Sequence, residues 1–306
     1  MRHLATFHPL PLYDFEKTIA ASRFYTTLGT WRDGVYWRAL RAGHGLALVA
    51  MQNRGTPDAP AVETFVAASE GDVDTNALWE TVGRMLNLTV DMRPFYALAQ
   101  TDPALWQLVE PLVGLHILQT ETMFEALVIT TIEQQIALAA AQRGERWLVD
   151  RFGTRITFAG ETFHTFPSPV RLAQTTVDEL TPLKITFRRM RVLIDVAALA
   201  LPDSLEWLRD LPAEEAYAAL VRLRGVGHWT AAWTLTRGSG RFLYFGSADV
   251  ALRAAVNRYF YGEPGRAERD VTDATFARYG DHAGLAAFYT IMKWAVDKYG
   301  GLRVED

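Results

Sequence analysis

Two glycines that flank a single apolar residue, between two stretches of helical pattern, constrain the fold of this chain most strongly. They lie in residues 223–231, which read Leu-Arg-Gly-Val-Gly-His-Trp-Thr-Ala. Gly225 and Gly227 suit a tight hairpin, because a backbone without side chains turns freely and lets another backbone come close. The amides that begin the second helix would then be free to bind an anion. The alternative is structural, with Gly225 as a helix C-cap and Gly227 as a turn residue.

The charge around the hairpin favours the anion-binding interpretation. Residues 216–260 contain six arginines and one carboxylate, a local charge of +5 in a chain whose total is −4. The six are Arg222, Arg224, Arg237, Arg241, Arg253 and Arg258. A basic surface beside such a hairpin is typical of proteins that hold DNA through its phosphates. Lys184, Arg188, Arg189 and Arg191 either extend this surface or form a solvated helix side.

Asp249 is the one acid in this basic stretch, and it has two interpretations. The first is an N-cap of the helix that follows. The second is a carboxylate kept for chemistry, because a negative charge beside a DNA backbone is unfavourable for binding. The helix after the hairpin is about 13 Å long at 1.5 Å per residue. The loop that follows it can extend about 33 Å, so Asp249 can return to the hairpin.

Trp229 and Trp233 are four residues apart on the helix after the hairpin, so their rings share a face. They are either core aromatics that pack one helix on another, or a stacking platform for a base extruded from a duplex. The spacing does not decide between these two.

Composition excludes several classes of protein. With no cysteine among 306 residues, the chain has no disulfide, thiolate zinc site or iron–sulfur cluster. The seven histidines are scattered, which argues against a metal-dependent hydrolase, and we predict no metal site. There is no apolar run long enough for a membrane span and no signal-peptide pattern. We therefore expect a cytoplasmic protein, associated in bacteria with the nucleoid, that makes no membrane contact.

The pattern of the chain predicts an α+β N-terminal domain over residues 1–112 and a mostly α-helical region over residues 113–306. In the first, residues 35–40 and 46–51 are predicted strands joined by Ala-Gly-His-Gly, and residues 61–68 a third. Asp14 and Asp74 are predicted N-caps, the latter of a helix whose apolar face would carry Leu78, Trp79, Val82, Met85 and Leu86.

The second region is predicted to be essentially all-α. A capping box at residues 122–125 begins a predicted helical stretch over residues 126–151. Within this stretch the polar Glu133-Gln134-Gln135 separates two apolar segments. Further helices are predicted at residues 187–199, and from Pro212 to the hairpin.

These features together resemble the helix-hairpin-helix DNA glycosylase superfamily, and within it the DNA-3-methyladenine glycosylase II type. The resemblance covers nearly the whole chain. It is carried by Tyr13-Asp14-Phe15, residues 124–137, Phe166-Pro-Ser-Pro169, the hairpin, the glycine-rich loop 238–246, Asp249 and Trp294. The chain departs from the family at three points: the loop has no proline, Ala295 replaces an aromatic, and Glu133 stands where the family has glycine.

The resemblance implies roles for particular residues. Asp249 would be catalytic, and Trp229, Trp233 and Trp294 would bind the substrate base. The residues that would contact DNA are Gln134, Gln135, Gly225, Gly227, His228 and Thr230, although His228 is equally an exposed turn residue. The helical region would form two subdomains with the DNA cleft between them. No cofactor is implied apart from a monovalent cation at the hairpin backbone, and the protein would act as a monomer.

The resemblance also implies an activity. Relatives that cleave the DNA strand carry a lysine two residues after the second hairpin glycine, where this chain has Trp229. We therefore expect a monofunctional glycosylase that flips alkylated purines out of double-stranded DNA, excises them and leaves an abasic site. Two alternatives stay open: a non-catalytic helix-hairpin-helix protein that binds DNA lesions, and a glycosylase for deaminated or oxidised bases.

Overall fold

The first seventy residues form a five-stranded antiparallel sheet, in a computed structural model that describes residues 1–302. The strand order is β1-β5-β4-β3-β2. Its elements are β1 Arg2–Phe7, α1 Phe15–Ser22, β2 Thr30–Arg32, β3 Val35–Ala42, β4 Gly45–Asn53 and β5 Val62–Glu70. The predicted hairpin is confirmed, since β3 pairs with β4 out to Ala42 opposite Gly45. The third predicted strand is confirmed as β5, whereas β1 and β2 were not predicted.

Helices dominate the rest of the chain. They are α2 Thr75–Met85, α3 Arg93–Gln100, α4 Pro103–Val109, α5 Met123–Glu133, α6 Leu138–Phe152, α7 Pro169–Ala173, α8 Phe187–Leu199, α9 Trp207–Asp210, α10 Ala213–Val221, α11 His228–Ser239, α12 Val250–Phe260, α13 Arg269–Ala277 and α14 Ala283–Tyr299. Short 3₁₀ turns lie at Glu110–Leu112, Asp178–Leu183 and Gly280–His282. Among residues 1–302, no helix combines the length and the apolar character needed to cross a membrane.

The predicted N-caps of the first domain are confirmed. Asp14 accepts a hydrogen bond from the Lys17 amide, and Asp74 accepts from the Asn76 and Ala77 amides. The predicted apolar face of α2 is confirmed except at Trp79, which is 48% exposed. Its ring lies 5.7 Å from that of Phe7 in β1.

The second region is mostly helical as predicted, but it contains one β-hairpin that was not predicted. Strands β6 Arg155–Phe158 and β7 Glu161–His164 form a second hairpin. Ile156 and Phe163 pack with Ala39 and Leu48 on the outer face of the large sheet. The alternation of apolar residues in Arg-Ile-Thr-Phe and the Ala-Gly turn after it were signals that could have predicted this hairpin.

The buried side chains on the two sides of the predicted domain boundary do not form separate hydrophobic clusters. Phe95 of α3 and Leu105 of α4 share one cluster with Leu252 of α12 and Phe288 of α14. Helices that precede residue 112 therefore pack into the core of the helices at the end of the chain. The division into residues 1–112 and 113–306 stays a prediction.

A buried ion pair joins the sheet to α5. Arg38 of β3 donates to both carboxylate oxygens of Glu125 at 2.8 and 3.0 Å, and the two side chains are 2% and 1% exposed. The predicted capping box forms only in part. The Thr122 hydroxyl accepts from the Glu125 amide as expected, but the Glu125 carboxylate turns to Arg38, because a buried guanidinium needs a counter-charge.

Glu145 of α6 is a buried acid whose partners are neutral. Its carboxylate accepts from the Thr26 hydroxyl at 3.1 Å and from the Thr27 amide at 2.8 Å. Burial raises the pKa of Glu145 from its ordinary value of 4.5 to about 7. Since the folded protein holds this proton more tightly than the unfolded chain, the stability that it contributes is complete below pH 4.5 and is lost as the pH rises to about 7.

We expect Glu145→Gln to remove this pH dependence. The variant should gain stability relative to the wild type by about 3 kcal/mol between pH 5 and pH 8, as an order of magnitude. Urea unfolding at the two pH values measures the difference, with the exposed Glu214→Gln as the control. An unchanged difference between variant and wild type at the two pH values would contradict the assignment.

Candidate active site

The two hairpin glycines between α10 and α11 are required for different reasons. Gly225 has a φ of +84°, and a Cβ there would lie 2.6 Å from a methyl carbon of Val192 on α8. Gly227 has a φ of −98°, which any residue adopts, and a Cβ there would meet open space. The structural interpretation therefore explains Gly225 but not Gly227. A glycine that neither conformation nor internal packing requires is consistent with a partner outside the chain.

The start of α11 leaves backbone amides unpaired. Gly227 occupies the N-cap position, and no side chain caps the helix. The first amides of a helix have no intrahelical acceptor, and the helix dipole adds a partial positive charge there. Because Gly227 and His228 are exposed, these amides are accessible to an anion.

Gln134 and Thr230 brace the hairpin from inside. The Gln134 side-chain nitrogen donates to the Gly225 carbonyl at 3.1 Å and to the Thr230 hydroxyl at 2.9 Å. Thr230 is only 3% exposed. Both side chains are thus engaged within the protein, and DNA contacts at these two positions would be left to their backbone groups.

Gln135 projects from a sharp turn between α5 and α6. The helical stretch predicted over residues 126–151 is divided there, because Gln134 leaves the helical conformation and Gln135 has a φ of +57°. Arg189 of α8 donates to the Gln134 carbonyl and so satisfies the end of α5. Gln135 itself is exposed and makes no hydrogen bond to any residue in the range 1–302.

Asp249 lies beside the hairpin, and both sequence interpretations of it fit the geometry. One carboxylate oxygen accepts from the Ala251 and Leu252 amides, each at 2.9 Å, so the N-cap is confirmed. The other accepts from the Trp229 indole nitrogen at 2.8 Å. The loop after α11 thus returns to that helix as its length allows, and it holds the carboxylate against the first turn.

The two tryptophans of α11 have different surroundings. Trp229 is partly exposed at the start of the helix. Trp233 is 4% exposed and lies on the ring of Phe245 at a centroid distance of 4.7 Å. The core interpretation holds for Trp233, which supports Trp229 at 6.4 Å. A stacking surface at this helix would therefore consist of Trp229.

Trp294 lies on α14 with other neighbours. Its ring is 6.4 Å from Tyr299, and the Lys298 ammonium lies 4.2 Å from it. Within residues 1–302 it makes no ring contact with Trp229 or Trp233. Tyr299 also borders a cavity of about 530 Å³ that includes Leu138 at the start of α6. The residues that line this cavity include neither Trp294 nor Asp249.

Three of the six arginines in the predicted basic surface are buried or bonded to groups within the protein. Arg237 is 4% exposed and pairs with Glu133 at 2.6 Å. Arg241 donates to backbone carbonyls of α9, and Arg253 donates to the Ala267 carbonyl. The exposed basic residues are Arg222, Arg224 and Arg258 of the original six, together with Lys184, Arg188 and Arg191 beside or on α8.

Tyr217 contacts His228, although nothing in the sequence indicated this pair. Its hydroxyl lies 2.9 Å from the His228 Nδ1 atom. The Nε2 edge of the exposed imidazole faces Gly246, since a Cβ added at Gly246 would lie 3.2 Å from His228 Nε2. No spacing relates Tyr217 to His228, so only the fold reveals the pair.

Comparison with known proteins agrees with this geometry, although no protein-family model matches the chain. The chain is 33% identical over 153 residues to the DNA-3-methyladenine glycosylase of Bacillus subtilis, a match that spans 49% of this chain and 50% of that one. The chain thus spans about half the length of this relative.

Solved structures match over almost the full length. The 3-methyladenine DNA glycosylase of Archaeoglobus fulgidus superposes with a TM-score of 0.77 at 20% identity, covering 97% of this chain and 99% of that one. The 8-oxoguanine glycosylase/lyase of Clostridium acetobutylicum, in complex with double-stranded DNA, superposes with a TM-score of 0.71 at 16% identity over 97% and 99%. The chain therefore has the fold of helix-hairpin-helix DNA glycosylases, and its resemblance to their DNA-3-methyladenine glycosylase II type is confirmed.

Proposed function

We propose that this protein is a monofunctional DNA glycosylase of base excision repair that releases alkylated purines of the 3-methyladenine and 7-methylguanine type. The observation that carries the proposal is the Asp249 carboxylate, held by the Trp229 indole and by the amides of α12 beside an uncapped hairpin helix. The similarity to the Bacillus and Archaeoglobus proteins, both 3-methyladenine DNA glycosylases, supports the same class of substrate.

The hairpin provides the grip on DNA. A phosphate oxygen would approach the free amides of α11 over Gly227, where no side chain stands in the way. The exposed Arg222 and Arg224 flank this point, and Arg188 and Arg191 extend the positive surface along α8. Such contacts position the protein without reading sequence, as a repair enzyme that searches for damage requires.

Gln135 fills the space that a flipped nucleotide leaves. Its exposed side chain stands on a turn that Arg189 and Gln134 stabilise. Extruding a base costs a few kcal/mol, least where the pair is already weakened by damage. A rigid polar wedge lowers this cost because it replaces part of the lost stacking and hydrogen bonding.

Trp229 meets the extruded base. Alkylation at N3 or N7 gives a purine a positive charge, and a cation over an aromatic face gains about 0.5 to 2 kcal/mol. Trp233, which lies on Phe245, supports the Trp229 ring at a centroid distance of 6.4 Å.

Asp249 stabilises the reaction at the sugar. As the bond between C1′ and the base nitrogen breaks, its electron pair leaves with the base and neutralises the charge on the purine, so no strong general acid is needed. The carboxylate stabilises the positive charge that develops at C1′, or orients the water that attacks there. The water oxygen bonds to C1′ and its proton passes to the carboxylate or to solvent, which leaves a free base and an abasic site.

We expect Asp249→Asn to reduce release of methylated bases by at least about a hundredfold, because it removes the charge at the reacting carbon. DNA binding should persist, since asparagine can still cap α12. Chromatography of released bases and fluorescence anisotropy with a duplex measure the two properties. Asp74→Asn, the same change at the cap of α2, is the control. Near-normal release by Asp249→Asn would refute the catalytic role of Asp249, whereas no release by the wild type would favour the non-catalytic alternative.

We expect alanine substitutions at the two hairpin glycines to have different effects, one on stability and the other on DNA binding. Gly225→Ala should lose about 2 kcal/mol of stability or more, through its positive φ and the contact with Val192. The free energy of unfolding of Gly227→Ala should lie within about 0.5 kcal/mol of the wild-type value. This variant should nevertheless bind duplex DNA more weakly, because its methyl group obstructs the phosphate. Thermal unfolding and anisotropy test the pair. Unchanged DNA affinity in Gly227→Ala would place the phosphate elsewhere.

We expect no lyase activity, because Trp229 occupies the position of the nucleophilic lysine. Borohydride should trap no covalent complex between this protein and damaged DNA, and abasic strands should stay intact until treated with alkali. A known glycosylase/lyase provides the positive control. A trapped complex would show that another amine reaches C1′.

A further inference from the structure

Glu133, the last residue of α5, is anchored to the helix that carries Trp229. One of its carboxylate oxygens pairs with Arg237 of α11 at 2.6 Å. Arg237 also donates to the Thr130 hydroxyl at 3.3 Å, and its guanidinium lies 5.1 Å from the ring of Trp233. The pair therefore fixes the Glu133 carboxylate against α11, next to the guanidinium that lies on Trp233, and directly before the Gln134–Gln135 turn.

The second oxygen of Glu133 is not used inside the protein. No residue in the range 1–302 donates a hydrogen bond to it, and the side chain is 13% exposed, against 4% for Arg237. Contacts link Glu133 to the site of Asp249. The next residue, Gln134, donates to the Thr230 hydroxyl, and the neighbouring Trp229 donates to Asp249. Burial raises the pKa of Glu133, the charge of Arg237 opposes this, and the charge of Asp249 raises the pKa further.

A second ion pair on the same helix shows what a purely structural pair looks like. Arg38 uses both oxygens of Glu125, and both side chains are almost fully enclosed. Buried ion pairs are seldom retained for stability, since desolvation offsets their attraction. The Glu125 pair is enclosed and uses both carboxylate oxygens, whereas the Glu133 pair leaves one carboxylate oxygen unused on a side chain that is 13% exposed.

We propose that Glu133 is a second carboxylate of the active site, whose charge acts with that of Asp249 to favour a positively charged reacting centre. The inference rests on the proposed function. The two carboxylates and the guanidinium of Arg237, which is buried more deeply, leave a net negative charge at the cleft. A cationic base, or the cationic sugar that forms as it leaves, is attracted to this charge, whereas a neutral base gains nothing from it. Glu133 would thus help to select alkylated purines over neutral ones.

Binding to two duplexes tests this without requiring catalysis. They differ at one nucleotide, where one carries a pyrrolidine with a positively charged ring nitrogen and the other the neutral tetrahydrofuran ring. Wild-type protein should prefer the cationic duplex. Glu133→Gln should lower that preference by about tenfold, because one charge at short range is lost, with little change for the neutral duplex. Glu125→Gln, the matched control, should lose stability but keep the preference, and Glu133→Asp, which keeps the charge, should retain most of it.

Each outcome bears on the inference. An unchanged preference in Glu133→Gln, or no preference in the wild type, overturns it. If Glu133→Gln does not fold, the double variant Glu133→Gln with Arg237→Gln leaves no unpaired ion. It should still lower the preference, since Glu133 is the more exposed of the two side chains. Base-release assays separate the two proposals: a wild type that releases no methylated base overturns the function but leaves the binding result interpretable.

Discussion

Burial of helix α5 on all sides is the constraint on which the rest of the structure depends. Every residue from Met123 to Ile132 is buried, so each polar group on the helix needs an internal partner. Thr130 and Thr131 donate to carbonyls of their own helix. Glu125 at one end pairs with the sheet through Arg38, and Glu133 at the other end pairs with α11. The sheet, the turn after α5 and the hairpin helix are thus positioned by one element.

Close backbone approach extends this arrangement to the candidate site. Gly238 of α11 has no room for a side chain beside Met123, and Gly225 has none beside Val192. The hairpin is therefore pressed against α5 on one side and α8 on the other. Gly227 alone of these glycines faces outward, which makes it the point where a phosphate can approach a backbone that is otherwise held rigidly.

Asp249 combines a structural and a chemical position. Two helix amides hold one oxygen and the Trp229 indole holds the other, so the carboxylate cannot swing away when a substrate arrives. Preorganisation of this kind is what electrostatic stabilisation of a transition state requires, because the charged group does not have to reorient during the reaction. If Glu133 adds its charge, both acids act from fixed positions, Glu133 at the end of α5 and Asp249 at the cap of α12.

The sequence by itself determined features that depend on neighbours along the chain: the hairpin glycines, the caps at Asp14 and Asp249, the β3–β4 hairpin and the resemblance to glycosylases. Only the tertiary structure decided which side chains stay accessible. It placed Arg237 and Trp233 inside and left Trp229 at the surface, although all three lie on one short helix. The physical reason is that spacing defines the faces of a helix, whereas burial depends on which distant elements, here α5 and the loop before Asp249, pack against each face.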